Sequence, residues 1–296
     1  MTLTIAALPA YNEERAIAKM VLGCKKHVDK VVVVDDGSHD ATAEIAEALG
    51  AHVVQHHHNG GYGAALQTCF ETAKELGAVR MVIIDSDGQH DPAEIPKLLE
   101  PLNNGADLVI GSRFVNGNGK NIPNYRKVGM KVLDTATNIA GGIDVSDSQS
   151  GFRAYGRKAI EKIRVYDNDM SAGSEILMQI KDHDLKFEEV EIHCEYDVEN
   201  ASSQNPVSHG VKVLMELLKD MELRKPLYYF TIPGFFLMII GLGLGINFLY
   251  ITQSGGQLPF GPTLFMILTT LIGTFATFTG IILHSMSRLI NETLKN

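Results

Sequence analysis

Short apolar runs alternate, over the first third of the chain, with segments whose apolar residues recur every third or fourth position. The runs cover residues 3–8, 31–35, 52–55, 81–85 and 108–111, with few polar interruptions. Continuous apolar runs of this length suit strands buried on both faces of a sheet. Between them, the spacing of three to four predicts helices over residues 13–26, 40–49, 63–76 and 92–103. Strands alternating with helices define βαβ units, and hence an α/β, Rossmann-like, mostly parallel sheet with flanking helices. Such sheets bind ligands outside the carboxyl ends of their strands. The tips at Pro9, Asp35 and Asp85, each leading into a polar loop, therefore place the site before its chemistry is known.

After Arg113 the rhythm changes. Residues 123–140 read as a helix, 144–150 as a polar loop, 171–182 as a helix and 187–194 as a half-buried strand. His56, His57 and His58 are adjacent and so share no face, which makes a solvated loop the better reading than a metal site. Further on, Val207, Val211, Leu214, Leu217, Leu218 and Met221 form one apolar stripe, with Lys212, Glu216, Lys219 and Asp220 elsewhere. A packed surface helix would show the same stripe. Its place directly before a membrane-length segment favours a helix lying in the interfacial plane.

That segment has the strongest pattern in the chain. From Pro226 to Ser287 there is no Asp, Glu, Lys or Arg. Residues 227–252 are long enough to cross a bilayer, a Gly/Gln/Pro-rich break follows, and residues 263–287 cross back. Tyr228, Tyr229 and Tyr250 sit near the ends of the first span, where amphipathic rings are favoured. Arg224 and Lys225 precede the hairpin, Arg288 follows it, and the loop between is uncharged, so both termini are expected in the cytoplasm. The division expected is a cytoplasmic domain over 1–206, an amphipathic helix over 207–225, a two-helix hairpin over 226–287 and a cytoplasmic tail over 288–296.

The net charge of −9 argues against a nucleic-acid partner, which would call for a basic stripe. Cys24, Cys69 and Cys194 lack CxxC spacing, in keeping with a reducing compartment and no structural zinc. The N-terminus has no basic region before its apolar run and does not read as a signal peptide.

The chemistry lies in the loops. Asp85 and Asp87, with Gln89 beyond, are hard oxygen ligands of the kind that hold Mg²⁺ or Mn²⁺. The cluster Asn59-Gly60-Gly61-Tyr62-Gly63 opens a helix, where backbone N–H groups can approach phosphate, though as a lone glycine cluster it is equally a helix-entry turn. Each feature is common alone, and their meeting at one sheet edge is what gives them weight.

Taken in order, four motifs form a series. They are Pro9-Ala10-Tyr11-Asn12-Glu13, Val34-Asp35-Asp36-Gly37-Ser38 with Asp40 and Thr42, Asp85-Ser86-Asp87-Gly88-Gln89-His90-Asp91-Pro92, and Gly111-Ser112-Arg113-Phe114. The series resembles the signature of family 2 glycosyltransferases with a GT-A fold, and more narrowly that of the polyprenyl-phosphate (dolichyl-phosphate) glycosyltransferases. The resemblance covers roughly residues 1–200. It implies nucleotide contacts at Pro9, Tyr11, Glu13, Asp36, Asp85 and Ser86, and a Mg²⁺ or Mn²⁺ held by Asp85, Asp87 and Gln89. It further implies catalytic roles for Asp87, Arg113 and Arg126, and sugar or acceptor contacts at Gln149, Ser150, Arg153, Glu175 and Ser203.

The implied partners are a nucleotide-sugar donor, a polyprenyl phosphate and the lipid bilayer. Some relatives with two spans form tetramers, so a homo-oligomer is expected by analogy only. A phosphate monoester, largely dianionic near neutral pH, needs no general base to attack an anomeric carbon. The difficulty is bringing anions together, which is work for cations. A single in-line displacement would invert the anomeric centre.

One departure stands out. Related synthases often carry a basic residue after the last strand, whereas residues 195–206 contain no Lys or Arg. Three readings compete with lipid-linked transfer from a UDP-sugar: a GDP-mannose-dependent synthase, a processive polysaccharide synthase, and an inactive scaffold or flippase partner. The absence of Trp argues against the processive synthase, whose acceptor motif is QxxRW and which usually has more than two spans. Intact Asp87, Gln89 and Arg113 argue against the scaffold. The run from Asp85 to Pro92, with the Ser148–Phe152 loop, looks more like the glucose/N-acetylglucosamine branch than the mannose branch.

Overall fold

The computed structural model describes residues 2–115, 124–166, 172–194, 227–257 and 259–293. The loop over 195–206, with Ser203, and the amphipathic segment over 207–223 lie outside the described residues. The chain divides into two compact units, residues 1–217 and 218–296.

In the first unit the expected alternation is present. The elements run β1 (Thr4–Ala10), α1 (Ile17–Cys24), β2 (Lys30–Asp35), α2 (Thr42–Ala48), β3 (His52–Gln55), α3 (Tyr62–Glu75), β4 (Arg80–Ile83), α4 (Ile95–Asn103) and β5 (Leu108–Ser112). They continue as α5 (Asn124–Gly141), β6 (Arg153–Gly156), α6 (Arg157–Lys162), α7 (Ala172–Asp182) and β7 (Phe187–Glu191). The seven strands form one sheet in the order β3-β2-β1-β4-β6-β5-β7. All pairings are parallel except those of β6, which runs antiparallel to both neighbours, Ile83 facing Arg153 and Ile110 facing Arg153.

The two faces of the sheet make two cores. Ile5 and Ala7 of β1 pack on one side with Leu66, Cys69 and Phe70 of α3, while Ala6 and Leu8 pack on the other with Ile17, Met20 and Val21 of α1. Phe70 meets Tyr155 of β6 edge to face at 4.9 Å between ring centroids. This double burial is why β1 and β2 read as unbroken apolar runs.

Boundaries differ where local contacts override periodicity. The helix expected from residue 13 begins at Ile17, because the Glu13 carbonyl accepts from the N–H groups of Ala16 and Ile17 and makes residues 13–16 a leading turn. A 3₁₀ turn, Pro92–Glu94, precedes α4, with the Asp91 side chain accepting from Ala93 N at 2.9 Å. The sequence pattern did not show β6 or α6. Arg-Ala-Tyr-Gly is too short to display an alternation.

The second unit is a helical hairpin. A π-helical turn, Leu227–Thr231, leads into the helix Ile232–Gln253, and Phe260–Thr293 returns. The second helix begins before residue 263 because Pro262, in its first turn, needs no N–H acceptor there. The apolar stretches Ile232–Gln253 and Phe260–Met286 have mean hydropathies of 2.1 and 1.9 and are membrane-length, and the chain is a multi-pass membrane protein. The two helices touch through glycines. A β-carbon on Gly234 would lie 2.6 Å from Thr277 N and 2.8 Å from Gly273 O. Large side chains such as Phe236, Ile246 and Phe275 are exposed on the outer faces.

Candidate active site

The loops after β1 and β2 are laced together by side chains. Asn12, with φ at 56°, has its N–H on Ser38 Oγ at 2.8 Å, and Glu13 N donates to Thr42 Oγ1 at 2.8 Å. Asp35 accepts from Ser38 and from Gln55 Nε2, the latter at 3.0 Å. Asp36 is almost fully buried and accepts from three donors: His56 Nδ1 at 2.6 Å, Gly60 N at 2.9 Å and Gly61 N at 2.8 Å. His56 Nε2 in turn sits 2.9 Å from Thr68 Oγ1.

These contacts correct two expectations. His56 is part of the site's framework, not of a solvated loop, although His57 and His58 are exposed. Two N–H groups of the glycine loop, offered to phosphate by the sequence pattern, are already held by Asp36. The implied nucleotide contact at Asp36 has a carboxylate engaged by protein donors.

Of the other implied nucleotide contacts, Tyr11 is 41% exposed at the sheet edge. Pro9 is buried, and its carbonyl accepts from the Ser86 hydroxyl at 2.8 Å, which ties the loop after β4 to β1. Ser86, 2% exposed, is thus engaged internally.

Asp85 lies two residues beyond β4. Its Oδ1 accepts from Tyr62 OH at 3.2 Å, at the start of α3. Asp87 folds back over Gly88, whose φ is 78°, to accept from Gln89 N at 3.0 Å. Cys194 Sγ approaches Gln89 Oε1 at 3.8 Å. His90 is buried against Phe152, with ring centroids 5.2 Å apart, and burial, then Arg113, pushes its pKa down to about 4.

Carboxylates crowd this edge. Glu13 is pushed up to about 7, first by burial and then by Asp87, Asp40 and Asp85. Asp87 is raised by burial and by Asp85. Asp85 is raised by burial, against the opposing pull of Tyr62, Arg153 and Arg113. Mutual repulsion of this kind is relieved by a bound cation. Among the described residues no three His, Cys, Asp or Glu side chains are grouped closely enough to hold a metal ion on their own. A pair of carboxylates and an amide oxygen match what Mg²⁺ takes from a protein when substrate phosphates complete its shell. The donor set therefore fits a divalent cation.

The antiparallel strand brings the second half of the chain to the same edge. Because β6 runs against its neighbours, the loop before it meets the loops after the parallel strands. Arg113 donates Nε and Nη2 to the two oxygens of Asp147, each at 2.7 Å, and its backbone N–H reaches Asp147 Oδ2 at 3.0 Å. Ser148 gives N–H and hydroxyl to Asp134 Oδ1 at 2.8 and 2.6 Å, fastening the loop to α5. Burial raises Asp134 to about 6. Gln149 Nε2 bonds Ser148 Oγ at 2.9 Å, and Ser150 is 2% exposed.

Arg153 is not an open phosphate contact. It is 2% exposed, and its Nη1 and Nη2 donate to the carbonyls of Gly173 and Ser148, both at 2.7 Å. Its position in β6 buries it, which a loop reading could not show. Glu175, in the first turn of α7, accepts from Tyr166 N at 3.1 Å. Arg126 falls in the first turn of α5, and its side chain, like Ser203, lies outside the described residues. Sequence reasoning gave no role to Tyr62, Asp134, Asp147 or Gly151. Tyr62 and Gly151 stand inside quoted motifs and Asp147 borders one, whereas Asp134 carried no local signal.

This edge is that of a GT-A nucleotide-sugar transferase. Residues 6–164 match the model of glycosyl transferase family 2, and the chain belongs to that family. An uncharacterized protein of Methanocaldococcus jannaschii is 38% identical over 216 residues, covering 71% of this chain and 89% of the relative. The UDP-N-acetylglucosamine–dolichyl-phosphate N-acetylglucosaminyltransferase of Methanococcus voltae is 34% identical over 233 residues, covering 71% and 93%. Among solved structures, glucosyl-3-phosphoglycerate synthase from Mycobacterium tuberculosis, in complex with Mn²⁺, UDP and glucosyl-3-phosphoglycerate, superposes with a TM-score of 0.57. It is 21% identical and is covered to 80%, against 74% of this chain. The protein is an enzyme that transfers sugar from a nucleotide-sugar donor.

Proposed function

We propose that the acceptor is a polyprenyl (dolichyl-type) phosphate and the donor a UDP-sugar, the product being a lipid-linked monosaccharide phosphate with inverted anomeric configuration. The observation that carries this reading is the membrane hairpin, Ile232–Gln253 and Phe260–Met286, in the same chain as the transferase sheet. A water-soluble acceptor would not call for it. The Methanococcus voltae relative, named for UDP-N-acetylglucosamine and dolichyl phosphate, supports both halves.

In this reading an acceptor phosphate oxygen attacks the anomeric carbon as the bond to the nucleoside diphosphate breaks and that diphosphate leaves with the electron pair. Asp85, Asp87 and Gln89 would hold Mg²⁺ or Mn²⁺, which supplies positive charge to the leaving diphosphate. Arg113, fixed by Asp147, presents a preorganised guanidinium. With Arg153 buried, we assign the acceptor phosphate to Arg126, in the first turn of the 18-residue helix α5, where the helix dipole also favours an anion. The positive residues flanking the hairpin in sequence support a reading in which both termini lie on the cytoplasmic side.

The test incubates membranes containing the full chain with radiolabelled UDP- and GDP-sugars, dolichyl phosphate and Mg²⁺ or Mn²⁺. Label from a UDP-sugar enters the organic phase, EDTA abolishes it, and Asp87→Ala protein gives none. Label from GDP-mannose alone would overturn the donor assignment, and no label from any donor would overturn the acceptor.

A further inference from the structure

Asp85 touches a residue far along the chain. A β-carbon built on Gly151 would lie 2.5 Å from Asp85 Oδ2, 2.9 Å from Oδ1 and 3.0 Å from Cγ, and nothing else is as near. The carboxylate thus rests on the bare α-carbon of Gly151 while Tyr62 holds Oδ1 at 3.2 Å. Gly151 does not have a positive φ, so an alanine could adopt its backbone, and only the space is restrictive.

The segment around Gly151 cannot retreat. Ser148 is bound to Asp134 through N–H and hydroxyl, and its carbonyl accepts from Arg153 Nη2. Phe152 is fully buried in the core and Arg153 is 2% exposed. A side chain at 151 would therefore displace the carboxylate, not the loop.

We propose that Gly151 is a positioning residue of the acid centre, its missing side chain setting the direction in which Asp85 presents its oxygens to the divalent cation. This rests on the cation-holding role proposed above for Asp85. Arg153, whose positive charge acts on Asp85, steadies the same carboxylate.

The test compares four full-length proteins in detergent: unmodified, Gly151→Ala, Asp85→Ala and the double variant. The readouts are melting temperature and Mn²⁺ binding in the presence of UDP, followed by electron paramagnetic resonance. Gly151→Ala weakens Mn²⁺ binding about tenfold or more, the usual scale for a residue behind a metal ligand. It also lowers the melting temperature when Asp85 is present and leaves it nearly unchanged in the Asp85→Ala background.

Unchanged Mn²⁺ binding, no Mn²⁺ binding by the unmodified protein, or an equal melting loss in both backgrounds would overturn the proposal. If Gly151→Ala fails to fold, a folded double variant supports the proposal and an unfolded one overturns it. The melting comparison uses no sugar or lipid, so failure of lipid-linked transfer leaves it standing.

Discussion

Asp147 grips Arg113 with both carboxylate oxygens, at 2.7 Å from Nε and from Nη2, and is itself fully buried. Removing one partner of such a pair strands the other charge in a dry site. Asp147→Ala is expected to cost about 3–5 kcal/mol of stability, measured by chemical denaturation in detergent, and to lower kcat. Asp147→Asn, which keeps one acceptor, falls between.

Asp134 gives the protein a pH signature. Burial lifts it to about 6 from a usual value of 3.8, so the folded chain holds its proton more tightly than the unfolded chain. Stability therefore declines as pH rises from about 4 through about 6. Asp134→Asn keeps an oxygen for Ser148 but cannot ionise. It should match the unmodified protein at acidic pH and melt higher at pH 7, as thermal scans across the pH range would show.

Asp36 organises the turn into α3 by accepting from Gly60 N, Gly61 N and His56. In Asp36→Ala protein those donors lose their acceptor, at about 2 kcal/mol or more. The glycine loop then loses its shape. Steady-state kinetics should show KM for the sugar nucleotide rising about tenfold, or about 1.4 kcal/mol, with a smaller change in kcat.

The hairpin supplies its own control. A β-carbon on Gly273 would meet Gly234 O at 2.7 Å and Leu237 C at 2.9 Å, whereas nothing lies within 4 Å of one on Gly243. Gly273→Val should lower the melting temperature of the detergent-solubilised protein, by about 1–3 kcal/mol of overpacking. Gly243→Val should not.

What the sequence made legible follows from distance along the chain. The strands β1, β2, β4 and β5 were readable because each is a run buried on two faces, β3, half-buried at the sheet edge, because of its Val53-Val54 pair, and the aspartate loops because they sit at strand tips. The partners of those residues were not. Nothing local tells Asp36 that it will meet His56 and Gly60, or Ser86 that its hydroxyl will find Pro9. Arg153 shows the cost most plainly. As part of a loop it looked available to phosphate, and only the pairing of β6 between β4 and β5 puts it inside the sheet. The second span begins earlier than the proline-containing break indicated because proline is harmless in a first helical turn.

For the lipid acceptor proposed above, the hairpin also fixes how supply should be counted. An enzyme held in a bilayer meets a lipid substrate by two-dimensional diffusion, so what governs its rate is the mole fraction of that lipid in the membrane, not its bulk concentration. Added inert phospholipid should slow transfer to polyprenyl phosphate, while diluting whole vesicles in buffer should leave turnover per enzyme unchanged at saturating sugar nucleotide.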